Sequence, residues 1–282
     1  MGVSVSKRVS EVKQPRGGFL NPRLLTVAEV SGDHETVSLE KENVHATIIG
    51  LVVDYMTRYM LTDDLIESFH VSMMGASSAE NFGIRNAFAI ANDLMGEIQG
   101  LDGNSIYNAC KLVSFDAWFR DPMSASMAKK YDEINADEST IENIRCMIKR
   151  SMKFFETYGP IKKEAFTFEP VKWKKSDYDK MIKTNHGSCG GYTATVSSGD
   201  GDFLTEDTMW DFKVSKSAPT SKHTLQLLMY WVMGQHSGQD IYKKITKTGI
   251  FNPRLDKVYT YDMRNVSSEV IKTIEEDVIC YE

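Results

Sequence analysis

No apolar run in this 282-residue chain approaches the ~20 residues that a membrane helix needs, so no membrane span is expected. Close cysteine pairs are missing too: Cys110, Cys146, Cys189 and Cys280 are widely scattered. That spacing excludes the usual zinc and iron–sulfur frameworks, and reduced thiols in a cytoplasmic protein are expected. The chain also lacks a positive balance. Its net charge of −6 argues against a generic nucleic-acid coat, which draws on Lys and Arg at phosphates. It does not argue against a site whose acids surround a divalent cation. Lys7 and Arg8 are followed by no apolar stretch, so no secretory leader is expected. Met1–Gly2 with Ser6 meets only a short, loose acylation pattern.

What is present is a change of texture along the chain. Residues 1–40 look irregular, punctuated by Pro15, Gly17, Gly18, Pro22 and Gly32. From Glu42 to about Leu61, Val44, Ile48, Leu51, Val52, Tyr55 and Tyr59 recur at helical spacing. Helices are expected around Phe82–Gln99, Asn104–Phe119 and Ser139–Tyr158, closed by Gly159–Pro160. Beyond that point Ala165–Phe168, Tyr192–Val196, Thr208–Ser215, Ile245–Phe251 and Lys257–Tyr261 read as strands. A helix from Ser221 to Met233 is expected to stop at Gly234, and another to close the chain over Ser267–Ile279. No internal repeat or low-complexity linker interrupts this order. Charge follows the same division. Residues 51–100 carry two basic and seven acidic side chains, whereas residues 151–250 carry fourteen and eleven. The order predicts one α/β domain over residues 1–282, a mixed sheet flanked by helices, with a helical insertion over residues 62–160.

One strand carries chemistry. Along Thr208–Ser215, Trp210, Phe212 and Val214 face a core while Asp211, Lys213 and Ser215 face the other way. The carboxylate of Asp211 suits a hard divalent cation. The ammonium of Lys213 can position an attacking water, help to deprotonate it, or steady charge on a phosphate. Asp202 lies nine residues earlier in Gly199–Asp200–Gly201–Asp202. A turn at Thr205–Asp207 would fold it back beside Asp211, where the two acids repel unless they share a cation. The glycines are expected to leave room for a phosphodiester backbone. On the helix that follows, Gln226 and Tyr230 share a face, with His223 one turn earlier.

Gly199–Asp202, then Asp211–Phe212–Lys213, then Gln226–Tyr230 on a helix resembles the RecB-like branch of the PD-(D/E)XK nuclease superfamily. The motifs span residues 199–230, and the strand and helix order extends the likeness to about 160–265. The resemblance implies a restriction-endonuclease-like fold with Asp202, Asp211 and the Phe212 carbonyl on Mg²⁺ or Mn²⁺. It makes Lys213 the catalytic lysine. Gln226 would orient that lysine or contact DNA, and Tyr230 would support the helix face. The implied reaction is hydrolysis of DNA phosphodiesters by metal-activated water, leaving a 5′-phosphate, with exonuclease ahead of endonuclease by analogy alone. Such enzymes also place a metal-ligating His on an early helix, for which His45 is the candidate and His34 and Glu42 are weaker ones. No proline precedes Asp202, Asp rather than Glu stands at 211, and the cysteine cluster of some relatives is absent.

Lys216 and Lys222 flank the loop after the strand and are the expected nucleic-acid contacts. Lys172–Trp173–Lys174–Lys175 mixes basic and aromatic character at what could equally be a surface loop. Asn252–Pro253–Arg254 reads as a turn. Two other readings stay open: a nuclease fold that binds nucleic acid or a protein partner without cutting, and a helical scaffold whose charged strand face is only solvated.

Overall fold

The computed structural model describes residues 2–281 apart from His34, Thr36, Ala128 and Trp173. The N-terminal forty residues are more ordered than their glycines and prolines suggest. A short strand β1 (Val3–Ser4) leads into helix α1 (Val5–Glu11), and β2 (Thr26–Glu29) joins the main sheet. Local punctuation did not predict this, because β2 is an edge strand whose partner lies more than 200 residues away.

Helix α2 (Ala46–Thr62) buries Ile49, Val52, Val53 and Met56, spaced three or four residues apart on one face. The helical region that follows holds α3 (Leu65–Ser68), α4 (His70–Asn81), α5 (Ala87–Gly96), α6 (Gly103–Leu112), α7 (Asp116–Arg120), α8 (Pro122–Ala125) and α9 (Glu138–Tyr158). Asp137 caps α9 by accepting the Thr140 N–H at 2.8 Å. The expected helix over 104–119 is divided by a tight 3-10 turn at Val113–Phe115. There Gly75 of α4 lies so close to the Phe115 carbonyl that a Cβ would sit 2.0 Å from it. No helix among the described residues is long and apolar enough to cross a membrane.

The C-terminal half supplies most of the sheet. It contains β3 (Lys163–Phe166), α10 (Lys175–Thr184), β4 (Ser188–Cys189), β5 (Tyr192–Thr193), β6 (Val196–Ser198), β7 (Gly201–Leu204) and β8 (Thr208–Phe212). After these come α11 (Ser221–Ser237), α12 (Asp240–Lys243), β9 (Lys247–Asn252), β10 (Lys257–Asp262) and α13 (Ser268–Thr273), which continues as a π-helical turn to Ile279. Gly234 does not end α11. It is buried where a Cβ would lie 2.6 Å from the Tyr242 ring, and the helix runs on to Gly238 in the left-handed conformation.

The result is a mixed α/β fold around a six-stranded sheet of order β2-β10-β9-β8-β7-β3. Strands β3, β7 and β8 form an antiparallel run, and β9 pairs parallel to β8 after the α11 crossover. One face is sealed by aromatic packing. Phe154 of α9 stacks on Phe251 with centroids 4.3 Å apart and meets Trp210 edge-on at 4.9 Å. Thus α9, although inside the segment expected to be an insertion, forms a layer on the sheet. Gly249 lies under Trp210, where a Cβ would come within 2.3 Å of the indole. On the other face, Leu225, Leu228 and Met229 of α11 pack over Met209. Side chains alternate along β8, so Asp211 faces α11 and Trp210 faces α9.

Candidate active site

Thr205–Asp207 makes the expected turn. The Thr205 N–H donates to the Thr208 carbonyl at 3.0 Å, and the Trp210 indole N–H donates to Thr205 Oγ1 at 2.9 Å. Phe203 is then paired with Trp210 and Leu204 with Met209. Continuing that register by one residue sets Asp202 opposite Asp211 at the end of the hairpin. Asp202 Oδ2 accepts the backbone N–H of Phe212 at 2.5 Å. Strand β8 ends at Phe212 rather than Ser215, but the Lys213 N–H still bonds the Phe251 carbonyl at 2.9 Å. The ladder therefore fixes the start of the lysine side chain.

Asp211 is 2% exposed. Its Oδ1 lies 2.9 Å from Lys213 Nζ, whereas its Oδ2 is buried and, among the described residues, accepts no hydrogen bond. Leaving a carboxylate oxygen dry and unpartnered costs on the order of 1–3 kcal/mol. Asp202 is held well above the usual carboxylate range, first by burial and then by the charge of Asp211. Lys213 is pushed the other way from what its own burial dictates. The charges of Asp211 and Asp202 overcome desolvation and keep its ammonium protonated.

The next helix brings three polar side chains to the same place. Gln226 Nε2 donates to Tyr230 Oη at 2.9 Å. Tyr230 is raised above its ordinary value by burial and then by Asp211, with Asp202 and Asp200 adding to the effect. Gln226 therefore braces Tyr230, and the Lys213 ammonium is held by Asp211 instead. His223, one turn nearer the start of α11, lies within electrostatic reach of both Asp211 and Lys213.

Helix α2 supplies a side of the site that sequence reasoning missed. Asp54 raises Asp202 by its charge, and both belong to a cleft shared with Arg58, Glu164 and Phe212. Arg58 grips both oxygens of Asp54, at 2.9 and 3.1 Å, and approaches Glu164 within 4.0 Å. The signal available was the i,i+4 pairing of Asp54 with Arg58 on an otherwise apolar helix.

Several expected residues fall elsewhere. His45 is exposed and caps α2, its Nδ1 accepting the Thr47 N–H at 3.3 Å. The α2 residue that reaches Asp202 is Asp54, nine positions on, or roughly 14 Å along the axis at ~1.5 Å per residue. Glu42 is committed to a buried ion pair with Arg254, so Arg254 is more than a turn residue. His34 and Trp173 lie outside the described residues. Lys172, Lys174 and Lys175 lead into α10. Lys216 and Lys222 are exposed on either side of the loop between β8 and α11, and among the described residues neither forms an ion pair. Gly199 and Gly201 serve the protein's own packing, since a Cβ would meet Val5 Cγ2 at 2.5 Å and the Phe166 ring at 1.9 Å. Gly2 is packed as well, with Ala194 and Ser197 within 2.7 Å of where its Cβ would be.

Among the described residues no group of three His, Cys, Asp or Glu side chains is gathered closely enough to enclose a metal ion. Asp202 and Asp211 form a pair, and Asp54 is turned to Arg58. Four carboxylates (Asp54, Glu164, Asp202, Asp211) face two cations (Arg58, Lys213), which leaves a formal deficit of two positive charges. That deficit and the unpartnered Asp211 Oδ2 fit a divalent cation. No family model matches the chain, and no curated protein and no solved structure matches it.

Proposed function

We propose that the chain is a Mg²⁺- or Mn²⁺-dependent deoxyribonuclease that hydrolyses phosphodiester bonds at the Asp202–Asp211–Lys213 cluster. The observation that carries the reading is the buried Asp211 Oδ2, left without a donor among the described residues beside a second carboxylate and a protonated lysine. Such an arrangement costs stability, and a bound cation would offset that cost. The run β3–β7–β8, the α11 crossover and parallel β9 support the restriction-endonuclease-like variant of the α/β fold.

Asp202 and Asp211 would hold the cation, with the Phe212 carbonyl as a further donor and Asp54 within reach once it leaves Arg58. A divalent cation bound there would supply Lewis acidity to the phosphate and an activated water. Lys213, kept protonated, steadies negative charge on the phosphoryl oxygens rather than acting as a base. Trp210 and Phe251 fix the hairpin from behind, so the carboxylates do not move apart. Lys216 and Lys222 offer exposed positive charge to the flanking backbone. The preference for exonuclease rests on the motif resemblance alone.

One observation favours the rival, a protein that binds nucleic acid without cutting: among the described residues no third acidic or histidine ligand is already gathered around the pair. Incubation of linear and circular, single- and double-stranded DNA, and of RNA, with Mg²⁺ or Mn²⁺ separates the two. Cleavage of DNA that disappears in Asp211→Ala and Lys213→Ala supports the enzyme. No cleavage under any condition, or cleavage that both variants retain, removes it.

A further inference from the structure

His223 stands at the third position of α11, and its ring is fixed by an unusual cap. The backbone N–H of Thr220 donates to His223 Nδ1 at 3.1 Å, the reciprocal half of a capping box in which the imidazole takes the place of a Glu or Gln. A nitrogen that accepts an N–H carries no proton, so the neutral ring must hold its proton on Nε2. Among the described residues Nε2 has no protein partner, and it is not one of the buried orphan atoms. It is therefore a solvent-accessible donor that no described side chain or backbone group occupies. Spacings of three and four residues put His223 on the same face of α11 as Gln226 and Tyr230. Tyr230 lies in the field of Asp211 and Asp202, and His223 in that of Asp211 and Lys213. The polar stripe thus runs along the carboxylate pair and ends, at the helix N-terminus, on the imidazole. Burial lowers the proton affinity of this ring, and taking a second proton would also break the cap, so a general base is a poor description of it.

We infer that His223 is a substrate-contacting residue whose Nε2–H donates a hydrogen bond to a non-bridging phosphate oxygen of the bound DNA, beside the Lys213 ammonium. This rests on the nuclease reading above. The amides at the start of α11 and Lys222 add positive potential on the same side, while the carboxylate pair takes the cation. The phosphate is then held between a cation site and a neutral donor.

The test compares His223→Gln, which keeps a cap acceptor and a donor, with His223→Ala, which keeps neither. Both are assayed on a labelled linear duplex well below their melting temperatures, with folding checked by circular dichroism. The expected result is a loss of about tenfold to a hundredfold in kcat/KM for His223→Ala, the range of a hydrogen bond to a charged group, and a loss within about threefold for His223→Gln. A folded His223→Ala protein with unchanged kcat/KM overturns the inference, because a cap alone would move only the melting temperature. Should His223→Ala not fold, His223→Leu, which keeps the buried volume and adds no charge but has no donor, carries the same comparison. If the wild-type chain binds the duplex but does not cut it, the nuclease reading fails while the inference is read on Kd. If it neither binds nor cuts, both fall.

Discussion

Lys213 Nζ sits 2.9 Å from Asp211 Oδ1, while the other oxygen of that buried carboxylate has no partner among the described residues. A lysine on one oxygen of a buried acid and no described donor on the other is the geometry on which the proposed cation site rests. Asp202, opposite in the hairpin and bonded to the Phe212 N–H, adds a like charge that the fold tolerates at a cost. Sites of this kind trade stability for function, and that trade can be measured.

Asp202→Asn keeps an oxygen for the Phe212 N–H and deletes the charge that faces Asp211. Without divalent ions the variant should be more stable than the wild type by on the order of 1 kcal/mol, or about 2–4 °C in melting temperature. Adding millimolar Mg²⁺ or Mn²⁺ should raise the wild-type melting temperature by mass action and leave the variant almost unmoved. Scanning calorimetry with and without the ion checks both halves; equal shifts in the two proteins would remove Asp202 from the cation site.

Lys213→Gln separates binding of the ion from chemistry. The carboxylates remain, so the metal-induced rise in melting temperature should persist. Loss of the protonated amine should lower kcat by about a hundredfold or more, the scale on which positioned charge acts in such sites. Single-turnover cleavage at saturating ion reads the effect; a variant with wild-type turnover would leave Lys213 a structural partner of Asp211 only.

Much of this cluster was legible because β-hairpin geometry is local. The Thr205–Asp207 turn and alternation along Thr208–Phe212 were enough to place Asp202 beside Asp211, and helical spacing was enough to align Gln226 with Tyr230. Asp54 was only half legible, since its i,i+4 pairing with Arg58 marks a charged turn of α2 but not that this turn passes the hairpin; His45 looked the better ligand from chemistry alone, and its backbone position makes it a cap. The glycines misled for a similar reason: Gly199 and Gly201 make room for Val5 and Phe166, neighbours set by tertiary packing. Edge strand β2 and the aromatic seal from α9 likewise depend on pairings across more than 50 residues, for which local periodicity carries no signal.

Away from the site, Asp33 and Arg150 lock the segment before α2 to α9. Arg150 is 2% exposed and also donates to the carbonyls of Glu35, Pro253 and Arg254. Asp33→Asn leaves a buried guanidinium short of its carboxylate and should cost about 2 kcal/mol at pH 7. Asp33 is held well below its ordinary value of 3.8, chiefly by the Arg150 hydrogen bonds. Because the folded value is the lower one, the contribution is present above about pH 4 and is lost as pH falls through the folded value. Urea titrations should therefore show a constant gap between wild type and variant from pH 7 to 5, narrowing below pH 4. A gap that widens in acid would contradict the assignment.

The two faces of α2 make the last comparison. His45→Ala removes only a cap on Thr47, and should cost about 0.5–1 kcal/mol while cleavage and the metal-induced stabilisation stay as they are. Asp54→Asn acts where the helix meets Asp202. It weakens the hold on Arg58 and takes a negative charge from the cleft, so it should reduce the metal-induced rise in melting temperature and lower cleavage at subsaturating ion. Excess Mn²⁺ should recover part of the loss by mass action. Measuring the ion dependence of both variants side by side decides which end of the helix belongs to the site. Loss of ion binding in His45→Ala with none in Asp54→Asn would move the site one and a half nanometres along the helix, away from the carboxylate pair.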